Sequence, residues 1–438
     1  MSNFPKASSQ LSADAKRKLL ADLLAKKVRA EAQEIPSEYY RFEDYPEYQQ
    51  LREQRAQIHS LGLTPPYFSS HEGIAADVTH IDGKPHINYS AYNYLGLSGH
   101  PAVSEAAKQA IDEYGTSVSA SRPASGQKQL HLDLEREIAD FLGVEDCLTY
   151  VAGHLTNVST IGHLFSRDDI IFYDTLSHNS IYQGCLLSGA KVIPFPHNDA
   201  DALEKLLVSQ RYKYRRALIT IEGVYSADGD IPHLPDFIAL KQEHKTFLMV
   251  DEAHSIGVLG EKGSGIGEHF GINPTDVDLW MGTLSKSFAS CGGYIAGGQA
   301  VVDYLKYTSP GFIFSIGMSP PNTAAALAAL RVLKAEPERV KKVQHNANLF
   351  VSLAQARGLD TGQSQHSPIV PIMVKNTVKA IELSQKMMQR GINVQPMTFP
   401  VVPHNAARLR FFISSTHSEA QIRETVDALT EEVAKLML

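Results

Sequence analysis

The sequence has little of several features that mark particular classes of protein. Its three cysteines in 438 residues include no CxxC pair, which argues against a disulfide framework and fits a reducing cytoplasm. No apolar run approaches the roughly 18 residues of a membrane-spanning helix, and no secretory signal begins the chain. With 41 basic against 48 acidic residues, the chain lacks the basic excess that holds nucleic acid. The expectation is a soluble cytoplasmic protein with no nucleic-acid or membrane partner.

A GxxxxGK[ST] phosphate loop is also absent, and this absence decides the meaning of one motif. Residues Asp251 to His254 spell the nucleotide-hydrolysis box of some helicases, but that chemistry requires the phosphate loop. The motif therefore needs another explanation.

Patterning along the chain divides it into four parts. Residues 1–45 contain a basic amphipathic helix over 14–31 and are typical of a linker. Residues 46–100 form an arm with small strands, irregular to about Ser70 and turning at Asp82-Gly83. Residues 101–335 alternate strand and helix patterns, which predicts a large α/β domain with a mainly parallel sheet. Residues 336–438 predict a smaller C-terminal α/β domain. The strand candidates of the large domain are Leu148–Val151, Ile170–Tyr173, Lys191–Phe195, Ala217–Ile221, Phe247–Val250, Leu279–Met281 and Tyr294–Ala296.

Two of these strands end in charged residues, where parallel sheets place their ligand-handling groups. Asp251 follows one apolar strand, and Lys286 follows the next through Thr283 and Ser285. A buried carboxylate is costly unless a cation faces it, and small uncharged surroundings lower the pKa of a lysine and activate its amine. The pair predicts a nucleophilic lysine near an acid. A hydrogen-bonded loop aspartate and a solvated surface lysine are the simpler alternatives.

Two further strand ends carry candidate ligand groups. Gly153 and His154 open a helix directly after a strand, and the backbone amides of a helix N-terminus suit a phosphate. His178 follows another strand, although a core histidine is the simpler explanation of that residue alone.

Together these residues resemble one known family. The Asp-x-x-His strand end and the sequence Gly-Thr-x-Ser-Lys around Lys286 resemble the α-oxoamine synthases, pyridoxal 5′-phosphate (PLP) enzymes of the aminotransferase-like fold type I. The resemblance runs from about Tyr67 to the C-terminus. It is strongest to serine-palmitoyltransferase-like synthase domains of polyketide assembly lines, including the kind that initiates saxitoxin synthesis. Further matching stretches are Tyr92–Gly96, Ser121-Arg122 with Gly126 and His131, Glu222–Ser226, Asp228–Asp230 and Ala407–Arg410.

The resemblance implies a PLP cofactor and assigns roles around its ring. Lys286 would bind the cofactor through its amine and later act as the base. Asp251 would keep the pyridine nitrogen protonated, which makes the ring an electron sink. His254 would hydrogen-bond the phenolic oxygen, and His178 would stack on the ring.

The resemblance also implies contacts to phosphate and substrate. Ser315 would reach the phosphate from a second subunit, which implies a homodimer with shared active sites. Ser226 belongs to the cofactor-binding set, and Arg410 and Tyr92 to the substrate-binding set. The other phosphate contacts would be the Gly153 and His154 amides and Thr283.

The chain departs from the family pattern at three places. Ile316 stands where the family has Thr or Ser, and Ser117 and Ser119 stand where glycines are common. Gln395 occupies a position where some relatives have a carboxylate-binding arginine. The carboxylate should therefore fall to Arg410, which offers a bidentate fork.

The implied reaction is a decarboxylative condensation of an amino acid with an acyl thioester, giving an α-amino ketone and CO2. The expected acyl donor is bound to an acyl carrier protein. A stand-alone synthase using coenzyme A is one alternative, and an aminotransferase or aldolase of the same fold type is another, since it would share Asp251 and Lys286. A non-catalytic synthase subunit is a third, but it would be expected to lack Lys286.

Overall fold

A computed structural model describes residues 12–30, 35–64, 67–364, 367–399 and 401–437. Contacts divide the chain into two units, Met1–Thr64 and Pro65–Leu438. Within the described ranges, no helix is both long and apolar enough to cross a membrane. The predicted domain boundaries at 45, 100 and 335 stay predictions.

The first unit is helical. Helix α1 (Ala13–Ala30) confirms the predicted helix, and the Ser12 hydroxyl caps it by accepting a hydrogen bond from the Ala15 amide at 3.3 Å. Helix α2 (Pro46–Ser60) corrects the prediction of an irregular segment to Ser70. Pro46 occupies the first helical position, where its fixed φ is favourable, and glutamine, glutamate and arginine fill the turns that follow.

The second unit is an α/β structure. Its helices are α3 (Pro101–Tyr114), α4 (Gln129–Leu142), α5 (Gly153–Leu164), α6 (Asn179–Ser188), α7 (Ala200–Gln210), α8 (Leu234–His244), α9 (Ile266–Phe270), α10 (Gln299–Thr308), α11 (Pro310–Ile313), α12 (Pro320–Ala335), α13 (Glu338–Ala356), α14 (Thr377–Gln389) and α15 (Glu419–Met437). Its strands are β1 (Val78–Ile81), β2 (Lys84–Asn88), β3 (Asp146–Tyr150), β4 (Ile170–Asp174), β5 (Lys191–Phe195), β6 (Ala217–Glu222), β7 (Phe247–Asp251), β8 (Leu279–Thr283), β9 (Gly293–Gly297), β10 (Ile369–Met373), β11 (Ile392–Asn393), β12 (Gln395–Met397) and β13 (Arg408–Phe412).

Seven strands form the central sheet, in the order β3-β9-β8-β7-β6-β4-β5. Strand β9 runs antiparallel to both of its neighbours, and the pairs from β8 to β5 are parallel. The predicted strands are confirmed, and their ends agree with the prediction to within two residues. Glu222, Asp251 and Thr283 end three adjacent strands, so the sheet places them at one edge.

The sheet is covered on both faces, which explains its continuous apolar strands. Because side chains alternate along a strand, Ile219 and Val250 belong to one apolar core, and Leu218 and Met249 belong to the other. Helices α3, α4, α7, α8 and α12 contribute to the first core, and α5, α6, α10 and α11 to the second.

Two small sheets complete the unit. Strands β1 and β2 form the predicted hairpin at Asp82-Gly83, and β11 joins β2 in parallel. Strands β10, β13 and β12 pair antiparallel in that order, and Gln395 lies directly opposite Arg410. Helices α13, α14 and α15 share a third core with this sheet, which includes Phe350, Leu383 and Val426.

Candidate active site

A cavity of about 380 Å³ lies at the carboxyl ends of the central strands. Ten of the eleven residues singled out from the sequence line this cavity. They are Tyr92, Gly153, His154, His178, Ser226, Asp251, His254, Thr283, Lys286 and Arg410. Residues separated by more than 300 positions in the sequence therefore meet in one site.

Ser315 is the one that lies elsewhere. It lines a separate, much smaller space together with Arg122, Phe312 and Met318. Its predicted contact with the phosphate of a second subunit stays a prediction.

Asp251 is held rigidly at the end of β7. Its carboxylate accepts hydrogen bonds from the Asn157 amide group at 2.8 Å and from the Ala253 backbone amide at 2.9 Å. The residue is only 4% exposed, so the two hydrogen bonds hold its carboxylate in a site that is largely withdrawn from solvent. A fixed, negatively charged oxygen is what a protonated ring nitrogen requires.

Lys286 stands opposite this charge in the same cavity. Burial lowers the pKa of Lys286 to about 8, although Asp251 and Glu222 act in the opposite direction. Its ammonium group lies 5.7 Å from the centroid of the Tyr92 ring. An appreciable fraction of the side chain is therefore a neutral, nucleophilic amine near neutral pH.

The N-terminus of α5 forms an anion cradle next to these residues. No side chain caps this helix, and its first residues, Gly153 and His154, line the cavity. The backbone amides of a helix N-terminus without a capping side chain suit an anion. A Cβ atom at position 153 would meet the Thr283 hydroxyl at 2.6 Å, so only glycine permits this approach. Thr283 in turn lies 2.8 Å from the Ser285 hydroxyl.

Two of the three imidazoles that line the cavity, those of His254 and His178, have lowered pKa values. Burial lowers the pKa of His254 well below its usual value, and the charges of Lys286 and Arg410 act in the same direction. Its Nδ1 lies 2.7 Å from the Tyr94 hydroxyl. Burial likewise lowers the pKa of His178, whose Nδ1 lies 2.7 Å from the Ser180 hydroxyl.

The two arginines of β13 have different environments. Arg410 lines the cavity, donates to the Ser226 carbonyl at 2.9 Å and lies 4.5 Å from the centroid of the Phe412 ring. Arg408 is not among the residues that line the cavity, and it forms an ion pair with Asp228. Arg410 is thus the arginine placed to meet a substrate carboxylate.

Two residues that line the cavity, Asn157 and Glu222, had no role in the sequence analysis. Asn157 orients Asp251, and it lies one turn inside α5. Glu222 lies opposite Asp251 on the neighbouring strand, and burial together with the Asp251 charge raises the pKa of Glu222 well above its usual value. Its carboxyl accepts a hydrogen bond from the His178 backbone amide. The sequence did carry a signal for Glu222, because an acidic residue that ends a largely apolar strand is unusual.

One departure from the family pattern has a backbone consequence. Ser119, where the family resemblance led us to expect glycine, adopts a φ of 50°, in the left-handed region. This conformation costs a non-glycine residue roughly 1–2 kcal/mol, so a serine at this position is held against its backbone preference.

The chain matches the family model of class I and II aminotransferases over residues 84–429. It is 39% identical to the 8-amino-7-oxononanoate synthase of Coprothermobacter proteolyticus over 350 residues, which cover 80% of this chain and 88% of that protein. It is 38% identical to the serine palmitoyltransferase of Sphingobacterium spiritivorum over 349 residues, covering 80% of this chain and 87% of that protein. The chain belongs to the PLP-dependent α-oxoamine synthase family.

Solved structures agree with this membership and with the fold type I architecture. The serine palmitoyltransferase of Sphingomonas wittichii has a TM-score of 0.85 at 28% identity, covering 90% of this chain and 98% of its own. A serine palmitoyltransferase from S. paucimobilis with bound PLP and myriocin has a TM-score of 0.86 at 28% identity, covering 89% of this chain and 98% of its own. The enzyme is a PLP-dependent acyltransferase.

The residues of the cavity fit the cofactor. The Lys286 amine suits its aldehyde, the buried Asp251 carboxylate suits its ring nitrogen, and the amides of α5, which no side chain caps, suit its phosphate. Because position 153 is glycine, Thr283 can approach the start of α5 closely. All three chemical features of PLP thus find a partner among residues that line one cavity.

Proposed function

We propose that this enzyme condenses an amino acid with an acyl thioester to give an α-amino ketone, CO2 and a free thiol. The observation that carries the proposal is that Lys286, Asp251 and Arg410 line a single cavity. A base, a counter-charge for an electron sink and a carboxylate anchor are the three groups that this reaction requires. The 8-amino-7-oxononanoate synthase and serine palmitoyltransferase relatives support it.

Bound PLP supplies the electron sink that stabilises negative charge at the substrate Cα. Lys286, which would hold the cofactor before substrate arrives, takes the Cα proton on its Nζ. A carbon–carbon bond then forms between Cα and the acyl carbon, and the carbon–sulfur bond breaks, with the thiolate taking a proton from solvent. The carboxylate leaves as CO2, and a proton returns to Cα.

Three other residues orient these groups. Arg410 would hold the substrate carboxylate until it leaves, and it would do so with a charge-assisted hydrogen bond. His178 would lie against the cofactor ring, and His254, neutral because of its burial, would donate to the ring oxygen. Ser226 and Tyr92 would complete the walls on the cofactor and substrate sides.

The phosphate contact of Ser315 belongs to the proposal of a homodimer. Ser315 would act in the active site of the partner subunit, while the Gly153 and His154 amides and Thr283 act in their own. Separation of the two dimer halves should then weaken cofactor binding.

We further assign the acyl donor to an acyl carrier protein, in the context of polyketide or related secondary metabolism. Carrier domains are commonly acidic, and α1 presents exposed lysines that would dock one through salt-sensitive contacts. The Arg211–Arg216 cluster is a weaker candidate, because Arg215 and Arg216 already bind the Asp169 carboxylate. The lysines in question are Lys16, Lys18, Lys26 and Lys27. The cytoplasmic location stays a prediction.

Incorporation of a labelled acyl group tests the reaction. The purified enzyme with PLP, an amino acid and a labelled acyl thioester should give a labelled ketone together with one CO2 for each thiol released. An aminotransferase would give a keto acid without CO2, and an aldolase would release an aldehyde. Either result, with no acyl label in the product, would contradict the proposal.

A further inference from the structure

His244 is a buried histidine with unsatisfied ring nitrogens. It is the last residue of α8 and is only 4% exposed. Both ring nitrogens are shielded from solvent, and neither has a hydrogen-bond partner among the residues that the structure describes. A neutral imidazole carries one acceptor nitrogen, and a buried acceptor without a partner is unfavourable. A ligand that supplies positive charge to this nitrogen is therefore favoured.

Two glutamates lie close to this imidazole. Glu243 precedes it on α8, and Glu204 lies on α7. One carboxylate oxygen from each glutamate and one ring nitrogen of His244 all lie within 4.8 Å of one another. In this part of the described chain, no hydrogen bond joins the imidazole to either carboxylate. The three groups are thus neighbours that do not bond to each other directly.

The two helices that carry these groups are fixed by the apolar core. Leu207 of α7 and Leu240 of α8 are buried in the same core. The Arg211 guanidinium donates to the His244 carbonyl at 3.1 Å and to the Lys245 carbonyl at 2.8 Å, which holds the end of α8. The imidazole is thus held in place, and the two glutamate side chains, which are exposed, are the parts that can turn.

The charges at this position favour a cation. Two carboxylates lie there, and the C-terminal end of a helix carries partial negative charge. Lys241, in the last turn of α8, is already paired with Asp278 at 3.0 Å. Arg211 donates its hydrogen bonds to backbone carbonyls, and Lys205 and Lys245 are exposed, so solvent screens their charge. The two carboxylates are therefore the charges that act most directly on an ion beside the imidazole.

The donor set indicates which kind of cation would bind. Zn²⁺ binds imidazole nitrogen and carboxylate oxygen at about 2.0–2.2 Å and completes its shell with water, whereas Mg²⁺ and Ca²⁺ prefer oxygen ligands alone. Two such bonds at a tetrahedral angle place their ligand atoms about 3.4 Å apart. Spacings of up to 4.8 Å therefore require the glutamate oxygens to move inward by about 1 Å, which a rotation of an exposed side chain provides.

We propose that Glu204, Glu243 and His244 form a binding site for a divalent transition-metal ion, represented by Zn²⁺. The site is separate from the cofactor cavity, which none of the three residues lines. It lies at the amino end of β7, whereas Asp251 stands at the carboxyl end of the same strand. Because the ligands come from both α7 and α8, the ion joins these helices and stabilises their packing. Zinc binding at this position does not depend on the proposed reaction.

Equilibrium dialysis of the PLP-loaded enzyme against Zn²⁺, after metal has been removed with a chelator, tests the proposal without measuring turnover. A zinc ion should bind at a ratio of one per chain, and Mg²⁺ or Ca²⁺ at the same concentration should not displace it. X-ray absorption at the zinc edge should show one imidazole together with oxygen ligands at about 2.0–2.2 Å and no sulfur. Zinc should also raise the Tm of the enzyme, because it binds the folded state.

Substitution of each ligand should weaken zinc binding. Glu204→Gln and Glu243→Gln, both at exposed positions where folding is not at risk, should each lower the zinc affinity at least about tenfold. His244→Leu should abolish zinc binding at this site and the zinc-dependent rise in Tm, and thermal melting without zinc checks its folding. His233→Gln is the matched control, because His233 adjoins the start of α8 and pairs with an exposed acid, Asp236, at 2.9 Å. This control should keep the zinc affinity of the parent.

Several results would overturn the metal site. Cys291 is exposed and its thiolate also suits zinc, so binding that Cys291→Ser abolishes and His244→Leu keeps would place the ion at the cysteine. The absence of stoichiometric zinc binding would refute the site, as would displacement by Mg²⁺ or Ca²⁺ or an unchanged affinity in both glutamate variants. None of these outcomes bears on the condensation reaction, since the three ligands lie outside the lining of the cofactor cavity.

Discussion

Asp251→Asn separates the electronic role of this residue from its structural role. The carboxylate oxygens of Asp251 accept from two donors, the Asn157 amide group and the Ala253 backbone amide. An asparagine at this position has a single oxygen. Whichever way its amide is turned, one nitrogen faces a donor, so one hydrogen bond is lost. Turnover should also fall by several orders of magnitude, because an amide cannot keep the cofactor ring nitrogen protonated.

The size of the stability effect follows from these contacts. Leaving one buried donor without a partner costs about 1–3 kcal/mol of unfolding free energy. Loss of the Asp251 charge also removes a group that raises the pKa of Lys286, so that pKa should fall below its value of about 8. Urea denaturation measures the first effect, and the pH dependence of amine labelling at Lys286 in the cofactor-free enzyme measures the second.

Exchanging the two side chains provides the control. In the double variant Asp251→Asn with Asn157→Asp, the new carboxylate at position 157 accepts from the new amide at position 251, so the hydrogen bond is restored with reversed polarity. Stability should recover toward that of the parent, and activity should not. If Asp251→Asn keeps most of its activity, or if the exchange restores activity, Asp251 does not serve the cofactor ring in the way inferred.

Four further predictions concern the cofactor lysine, the two arginines of β13, the acyl donor and the backbone at Ser119. Lys286→Ala should abolish turnover, and borohydride reduction followed by peptide mapping should place the cofactor on Lys286; an adduct on another lysine would refute the assignment. Arg410→Ala should weaken amino-acid affinity by one to two decades, or about 2–3 kcal/mol, and leave cofactor affinity unchanged. Arg408→Ala should mainly lower stability, because it breaks the ion pair with Asp228. A carrier-bound acyl group should give a higher kcat/KM than the same group on coenzyme A, and the advantage should shrink with salt; equal, salt-independent values would exclude carrier docking. Ser119→Gly should raise the unfolding free energy by up to about 1 kcal/mol in urea denaturation, and an unchanged value would show that the left-handed backbone carries no strain.

The sequence by itself determined the chemistry of the site. Asp251 and Lys286 were identifiable because each follows an apolar strand, and the ends of parallel strands meet at one edge of a sheet. Gly153, the first residue of a helix that follows a strand, predicted the phosphate site. The motif around Lys286 indicated the family. These signals are local, so a linear pattern carries them. The helix at 46–60 was missed because its sequence is mostly polar and shows no clear apolar periodicity. Only the proline at its first position marks where it begins.

Only the tertiary structure decided which of the remaining residues serve the site. Arg408 and Arg410 lie two positions apart on one strand, so strand periodicity gives both the same face. The family resemblance had assigned the carboxylate to Arg410, and the structure shows that Arg410 lines the cavity whereas Arg408 pairs with Asp228. The role of Asn157 depends on a contact with Asp251 across 94 positions, and Glu222 accepts a hydrogen bond from the His178 backbone amide across 44 positions. Such hydrogen bonds join residues that periodicity does not relate, since their partners are brought together only when the sheets and the apolar cores form.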